Sequence, residues 1–162
     1  QKNFVHTRLT HSLEVSVVGR SLGRIAGKYV LEKHPYLQEL GYQFGDFGAI
    51  VAAAALAHDI GNPPFGHSGE KAIGVFFENG EGRKYQSMMT DAEFQDLVDF
   101  EGNANGFKLL TDSRSGAPGG LRLSYGTLGA FTKYPKGSLP KKPTKQISDK
   151  KFGSFLSEKE YF

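Results

Sequence analysis

Ala52-Ala53-Ala54-Ala55-Leu56-Ala57-His58-Asp59-Ile60-Gly61-Asn62-Pro63-Pro64 is the stretch on which the reading of the fold turns. The alanine run closes a helix expected over residues 45–60, and its small side chains let a neighbouring helix approach. Gly61 and the prolines stop it, because proline cannot continue the hydrogen-bond ladder. Adjacent side chains on a helix diverge by about 100°. His58 and Asp59 can therefore touch one ion only if it sits beyond the helix end, where the chain turns.

Upstream, residues 9–32 repeat helically. His11, Val15, Val18, Leu22, Ile25 and Tyr29 share one face, and Leu9, Leu13 and Val17 widen it, so the first half of this helix is expected to be buried nearly all round. Gly19, Gly23 and Gly27 recur at i+4 and predict a groove for a closely packed helix. Downstream, a helix is expected over 67–77 with Ala72, Val75 and Phe76 inward, then a polar turn over 80–84. Thr90-Asp91-Ala92-Glu93 is a capping box opening a helix through Val98. Residues 103–111 and 121–134 are expected as further helices around the Gly/Pro/Ser loop 113–120. Strand alternation is almost absent, so the fold class is all-α.

The chain has 162 residues, 38% of them apolar, with no cysteine. That composition is globular, and zero Cys excludes disulfides, thiolate metal sites and a Cys nucleophile. The longest apolar run, Ala49 to Ala57, is nine residues, against about 20 for a bilayer span. There is no signal-peptide pattern, and the expected location is cytoplasmic, with no membrane partner. The net charge of +3 is uneven, since residues 134–162 carry +4 and the rest −1. Basic character thus belongs to the Lys/Pro/Gly-rich loop 135–156, not to the helical body 1–134. Gln1 starts almost within a helical pattern, and the Ser157-to-Glu160 capping box opens a helix whose first turn contains the last residue. The expectation is a single truncated domain, 1–162, from a longer protein.

Three histidines stand where helices begin or end. Alone, His58-Asp59 favours the plainer reading, a helix-end imidazole beside a solvated acid. His11 heads an apolar face, where a lone imidazole needs a partner; a carbonyl would serve, and so would a metal shared with His58 and Asp59. Imidazole and carboxylate suit Mn²⁺, Fe²⁺, Zn²⁺ or Mg²⁺. His67 and Glu70, at i and i+3, are neighbours on one face. A carboxylate on one ring nitrogen would prepare the other for proton transfer, but a helix-start His with an acid near the dipole reads the same way.

Arg8-Leu9-Thr10-His11-Ser12-Leu13-Glu14-Val15, then Ala57 through Glu70 (AHDIGNPPFGHSGE), then Phe100-Glu101-Gly102-Asn103-Ala104-Asn105 closely resemble the deoxyguanosine triphosphate triphosphohydrolase family of HD-domain phosphohydrolases. Lys133-Tyr134-Pro135, Lys151-Phe152-Gly153 and Ser157-Glu158-Lys159 continue the likeness in family order. The resemblance implies an all-α HD fold and a metal held by His11, His58, Asp59 and one later Asp. It also implies His67 as the catalytic histidine and Glu70 as the acid that orients it. Asn103, Lys133 and Tyr134 match positions that contact the triphosphate, with Arg8 a less specific candidate. The implied cofactor is a divalent metal, Mn²⁺ or Mg²⁺, with Fe²⁺, Zn²⁺ or Ni²⁺ as other occupants. The implied reaction cleaves a deoxynucleoside triphosphate to deoxynucleoside and tripolyphosphate, in a homo-oligomer.

The fourth ligand falls outside the match, because Asp91, Asp96, Asp99, Asp112 and Asp149 do not fit its motif. Weak metal binding and little activity are therefore expected of this segment alone. Rival readings are a non-catalytic regulatory or oligomerisation module, an HD enzyme acting on another nucleotide, and nucleic-acid binding through 136–151. That last segment has few aromatics to stack bases, and a solvated loop fits it better.

Overall fold

The computed structural model describes residues 5–113, 120–138 and 151–156. Their regular structure is helical, with one isolated bridge, Gly137 to Ser154, and no strand among the described residues. The helices are α1 (Arg8–Lys33), α2 (Tyr36–Glu39), α3 (Phe44–Ala57), α4 (His67–Asn79), α5 (Asp91–Val98), α6 (Gly102–Thr111) and α7 (Tyr125–Phe131), with a 3₁₀ helix at Glu81–Met88. They belong to two compact units, one comprising Gln1–Asp59 and Leu123–Phe131, the other Ile60–Arg122 and Thr132–Phe162.

The first unit is built on α1 against α3. Thr7 and Thr10 form a capping box at the start of α1, and Gln43 and Asp46 form one at the start of α3. The face that α1 buries is the glycine row Gly19, Gly23 and Gly27, continued by Leu31. A Cβ on Gly23 would lie 2.7 Å from the Phe47 carbonyl oxygen and 3.0 Å from Val51 Cβ. Ser16 Oγ donates to the Ala52 carbonyl at 2.9 Å, adding a polar tie to the contact. α7 packs on α3 beside Ile50, which a Cβ on Gly126 would touch.

This corrects the expected face of α1. Leu9, Leu13 and Val17 are 67%, 49% and 67% exposed, and Val18, Leu22, Ile25 and Tyr29 are exposed too. The helix spans the expected residues, but backbone proximity, not side-chain size, selects its buried side. Two axes close together need hydrogen at the contact, and large side chains would hold them apart.

In the second unit, Gly74 of α4 packs on the carbonyl of Val98, at the end of α5, and Phe77 meets Phe94 edge to face at 6.3 Å between centroids. Ala72, Val75 and Phe76, expected inward, are exposed. The expected polar turn is the opening of the 3₁₀ helix. The Thr90 capping box is present, with Glu93 accepting the Thr90 N–H at 2.9 Å. α6 contributes Ala104, Phe107 and Leu110 to the core of this unit. Asn105 Nδ2 donates to the Gly61 carbonyl at 2.9 Å, and a Cβ on Gly61 would collide with the backbone of Gly102 and Gly106.

The helix expected over 121–134 is shorter, α7 alone, so Lys133 and Tyr134 lie beyond it. Residues 151–156, expected as loop, are packed down. Phe152 and Phe155 are buried with Ala104, beside partly buried Phe100. Asp96, itself buried, accepts the Leu156 N–H at 2.9 Å, and Gly153 N–H donates to the Lys136 carbonyl at 3.0 Å. Composition marked this stretch as irregular; its two phenylalanines decide where it goes. The remainder of the Gly/Pro/Ser loop, residues 139–150 and the Ser157 capping box lie outside the described residues.

Candidate functional site

In the first unit, His11 sits in the opening turn of α1 while His58 caps the end of α3 in right-handed helical geometry. Asp59 follows immediately. Ala55, 3.2 Å from where a Cβ on Gly19 would sit, and Ala52, whose carbonyl accepts from Ser16, belong to the small-residue contact that brings the two helices together. His58 Nε2 is 3.3 Å and His11 Nε2 3.9 Å from Asp59 Oδ2. The imidazoles stand 5.2 Å apart at 67°.

One donor from each of the three residues lies within 4.8 Å of the others. Bonds of roughly 2.0–2.2 Å put ligands of one ion about 3–4 Å apart, so the set needs only a small contraction to hold a divalent cation. His58 is already prepared for it. Its Nδ1 lies 2.7 Å from the Ala55 carbonyl oxygen. A carbonyl only accepts, so Nδ1 carries the hydrogen and Nε2, the ring nitrogen turned toward Asp59, is the one left to act as a ligand in the neutral ring. That is the outer-shell arrangement which fixes the ligating tautomer of a metal-binding histidine. His11 and Asp59 side chains are 48% and 30% exposed, which leaves positions for waters or ligand oxygens. Among the described residues the cluster has these three donors and no fourth. Arg8, the first residue of α1, is exposed in the same unit.

The second unit holds the remaining candidates. Phe65 and Gly66 both have positive φ, 66° and 54°, and this sharp turn puts His67 first in α4. Glu70 is engaged elsewhere than at His67. Its Oε1 accepts the Gly102 N–H at 2.9 Å, tying α4 to the start of α6. The neighbour of His67 is Lys151, whose Nζ lies 3.4 Å from Nε2. Lys151 also reaches Glu101 Oε1 at 3.5 Å and lies 6.0 Å from the centre of the Tyr134 ring. The same Glu101 oxygen accepts from Asn103 Nδ2 at 2.7 Å. Lys133 is exposed.

His67, Glu70, Glu101 and Lys151 border a cavity of about 420 Å³, with Lys71 and Phe152 also on its wall, whereas Asn103, Lys133 and Tyr134 do not line it. The structure thus joins His67, Asn103 and Tyr134 through two residues that sequence reasoning gave no role, Glu101 and Lys151. The signal for Glu101 was its place immediately before a helix, where an acid caps the free N–H groups. Lys151 stood in the Lys151-Phe152-Gly153 part of the family likeness, but nothing in its residue type or spacing gave it a role.

Among the described residues, no helix is long and apolar enough to cross a membrane. The HD domain family model matches residues 8–97. A deoxyguanosinetriphosphate triphosphohydrolase-like protein of Synechocystis sp. is 47% identical over 98% of this chain and 37% of its own length. One from Pseudomonas aeruginosa is 52% identical over 81% of the chain and 29% of its length. A deoxyguanosinetriphosphate triphosphohydrolase of Yersinia enterocolitica is 34% identical over 97% of the chain and 36% of its length. The chain spans about a third of the length of these relatives. Helical architecture, the His-His-Asp cluster and a family match across most of the helices agree: the chain belongs to the HD-domain family.

Proposed function

We propose that this chain carries the metal-binding and proton-transfer part of a phosphohydrolase that converts a deoxynucleoside triphosphate, dGTP or a close relative, to deoxynucleoside and tripolyphosphate. The observation that carries the reading is the convergence of His11, His58 and Asp59, with His58 Nδ1 committed to the Ala55 carbonyl. The names of the similar proteins supply the substrate class.

In this reading His11, His58 and Asp59 hold Mn²⁺ or Mg²⁺, with Fe²⁺, Zn²⁺ or Ni²⁺ as other occupants. When bound, such an ion supplies Lewis-acid polarisation of the phosphoryl group. Water oxygen bonds to the α-phosphorus and the bond from phosphorus to O5′ breaks. The water loses a proton and O5′ gains one, and His67 is the group that carries it. The same reading assigns Asn103, Lys133, Tyr134 and Arg8 to contacts with the phosphates. Glu70 supports His67 indirectly, through the link between α4 and α6, and not as a ring partner.

The test is product analysis. The full-length protein carrying this sequence is incubated with each dNTP and Mn²⁺ or Mg²⁺, and tripolyphosphate is the expected product. Pyrophosphate or orthophosphate in its place refutes the assignment.

A further inference from the structure

Glu101 is 6% exposed and stands at the start of α6, where its carboxylate accepts the Asn103 N–H at 3.4 Å and closes the helix end. A helix cap needs no burial and no second charge, yet this carboxylate has both. The oxygen that caps also takes Asn103 Nδ2 at 2.7 Å and Lys151 Nζ at 3.5 Å. A buried carboxylate is costly unless paired and hydrogen-bonded, and here three donors converge on one atom. Lys151 is delivered from a different part of the chain. It opens the segment that Phe152, Phe155 and the Asp96–Leu156 hydrogen bond pin against the core. Its side chain is 23% exposed, with His67 Nε2 at 3.4 Å as its other polar neighbour.

We infer that Glu101 is a positioning residue: its buried carboxylate fixes the Asn103 amide and the Lys151 ammonium together, and through Lys151 it sets the surroundings of His67. The inference rests on the reading of His67 and Asn103 as substrate-facing groups and adds the element that registers them. An ammonium on a flexible four-carbon stem loses much rotamer freedom when it is held in place. Without Glu101 that ammonium is free to leave for solvent, and His67 loses its cationic neighbour. The Asn103 amide loses the acceptor that decides which way its NH₂ points.

The experiment follows the His67 ring and Asn103 side-chain amide by ¹⁵N NMR in the 162-residue chain, comparing Glu101→Gln, Lys151→Met and the double variant. Gln keeps an oxygen for Asn103 and for the cap but removes the charge that holds Lys151, and circular dichroism checks that helix content is unchanged. Glu101→Gln is expected to shift the His67 ring signals, and to shift them no further once Lys151 is already Met. Lys151→Met alone is expected to move His67 while leaving the Asn103 amide in place. Inorganic tripolyphosphate, added as a probe, is expected to bind the wild-type chain.

Unmoved His67 signals in Glu101→Gln, or an equal shift in the Lys151→Met background, overturn the inference. Should Glu101→Gln fail to fold, Lys151→Met decides alone, and an unmoved His67 ring there is equally fatal. Failure of the wild-type chain to bind tripolyphosphate counts against the proposed function, whereas the ring signals report on positioning whether or not hydrolysis occurs.

Discussion

His58 Nδ1 and the Ala55 carbonyl oxygen are 2.7 Å apart, a contact made within the last turn of α3. It gives His58 a fixed ring orientation before any ion arrives. Much of the entropy of ordering that ligand is therefore already lost in folding, which favours binding. The expected outcome of His58→Ala is a loss of Mn²⁺ affinity of at least about 100-fold, the upper range seen even for outer-shell partners of a metal ligand. Titration calorimetry of the wild type against the variant measures it.

His67 belongs to the other unit, where Lys151 Nζ lies 3.4 Å from its Nε2. His67→Ala should leave Mn²⁺ affinity within about twofold. Hydrolysis by the full-length protein should fall by roughly 10²–10⁴, the usual contribution of a general acid or base. Equal metal loss in His67→Ala and His58→Ala contradicts this division of roles.

Gly23 and Gly45 make a matched pair. A Cβ on Gly23 meets the Phe47 carbonyl oxygen at 2.7 Å, whereas one on Gly45 meets nothing within 4 Å. Gly23→Ala should destabilise the chain by about 1–3 kcal/mol, the usual cost of overpacking. Gly45→Ala should stabilise it by up to about 1 kcal/mol, through helix propensity and a less flexible unfolded chain. Chemical denaturation of both variants tests the close α1–α3 contact; equal stabilities would refute it.

The same contact shows where the sequence was legible and where it was not. Helical periodicity located α1 within a residue or two, and the Gly19, Gly23 and Gly27 row announced a packed neighbour. Periodicity alone could not say which side of α1 that neighbour takes, because large apolar side chains and glycines both recur every three or four residues. The metal cluster was readable because His58 and Asp59 sit at a forced helix end. The Glu70–Gly102 and Lys151–His67 contacts span 32 and 84 residues. No local pattern encodes them, since they depend on how distant segments are brought together. Residues 151–156 were obscured for a different reason. Lysines, prolines and glycines around them read as solvated chain, while Phe152 and Phe155 supply the burial that places them.

Asp96 is the anchor of that segment. It is 5% exposed and accepts the Leu156 N–H at 2.9 Å. Asp96→Ala leaves a backbone donor without this acceptor, at a cost of about 1–3 kcal/mol. Phe152→Ala removes a side chain from the adjacent core at about 3–5 kcal/mol. In hydrogen exchange, both variants should speed exchange at the amides of 152–156 more than at those of α5. Uniform acceleration across the second unit would show that the segment does not loosen as a separate element.

Thr90 and Glu93 give a prediction in pH. The Thr90 backbone N–H, and then its hydroxyl, donate to the Glu93 carboxylate and hold it below its ordinary value of 4.5. The folded state therefore binds this proton less readily than the unfolded chain does. The stabilisation is complete above the unfolded value and is lost as pH falls through the lowered one. Thr90→Val removes the hydroxyl and keeps the N–H. The Glu93 titration should move up toward 4.5 without reaching it, because the larger of the two causes survives. A ¹³C carboxyl titration of wild type and Thr90→Val measures the difference, and an unchanged Glu93 curve would show that the hydroxyl contributes nothing to the lowered titration.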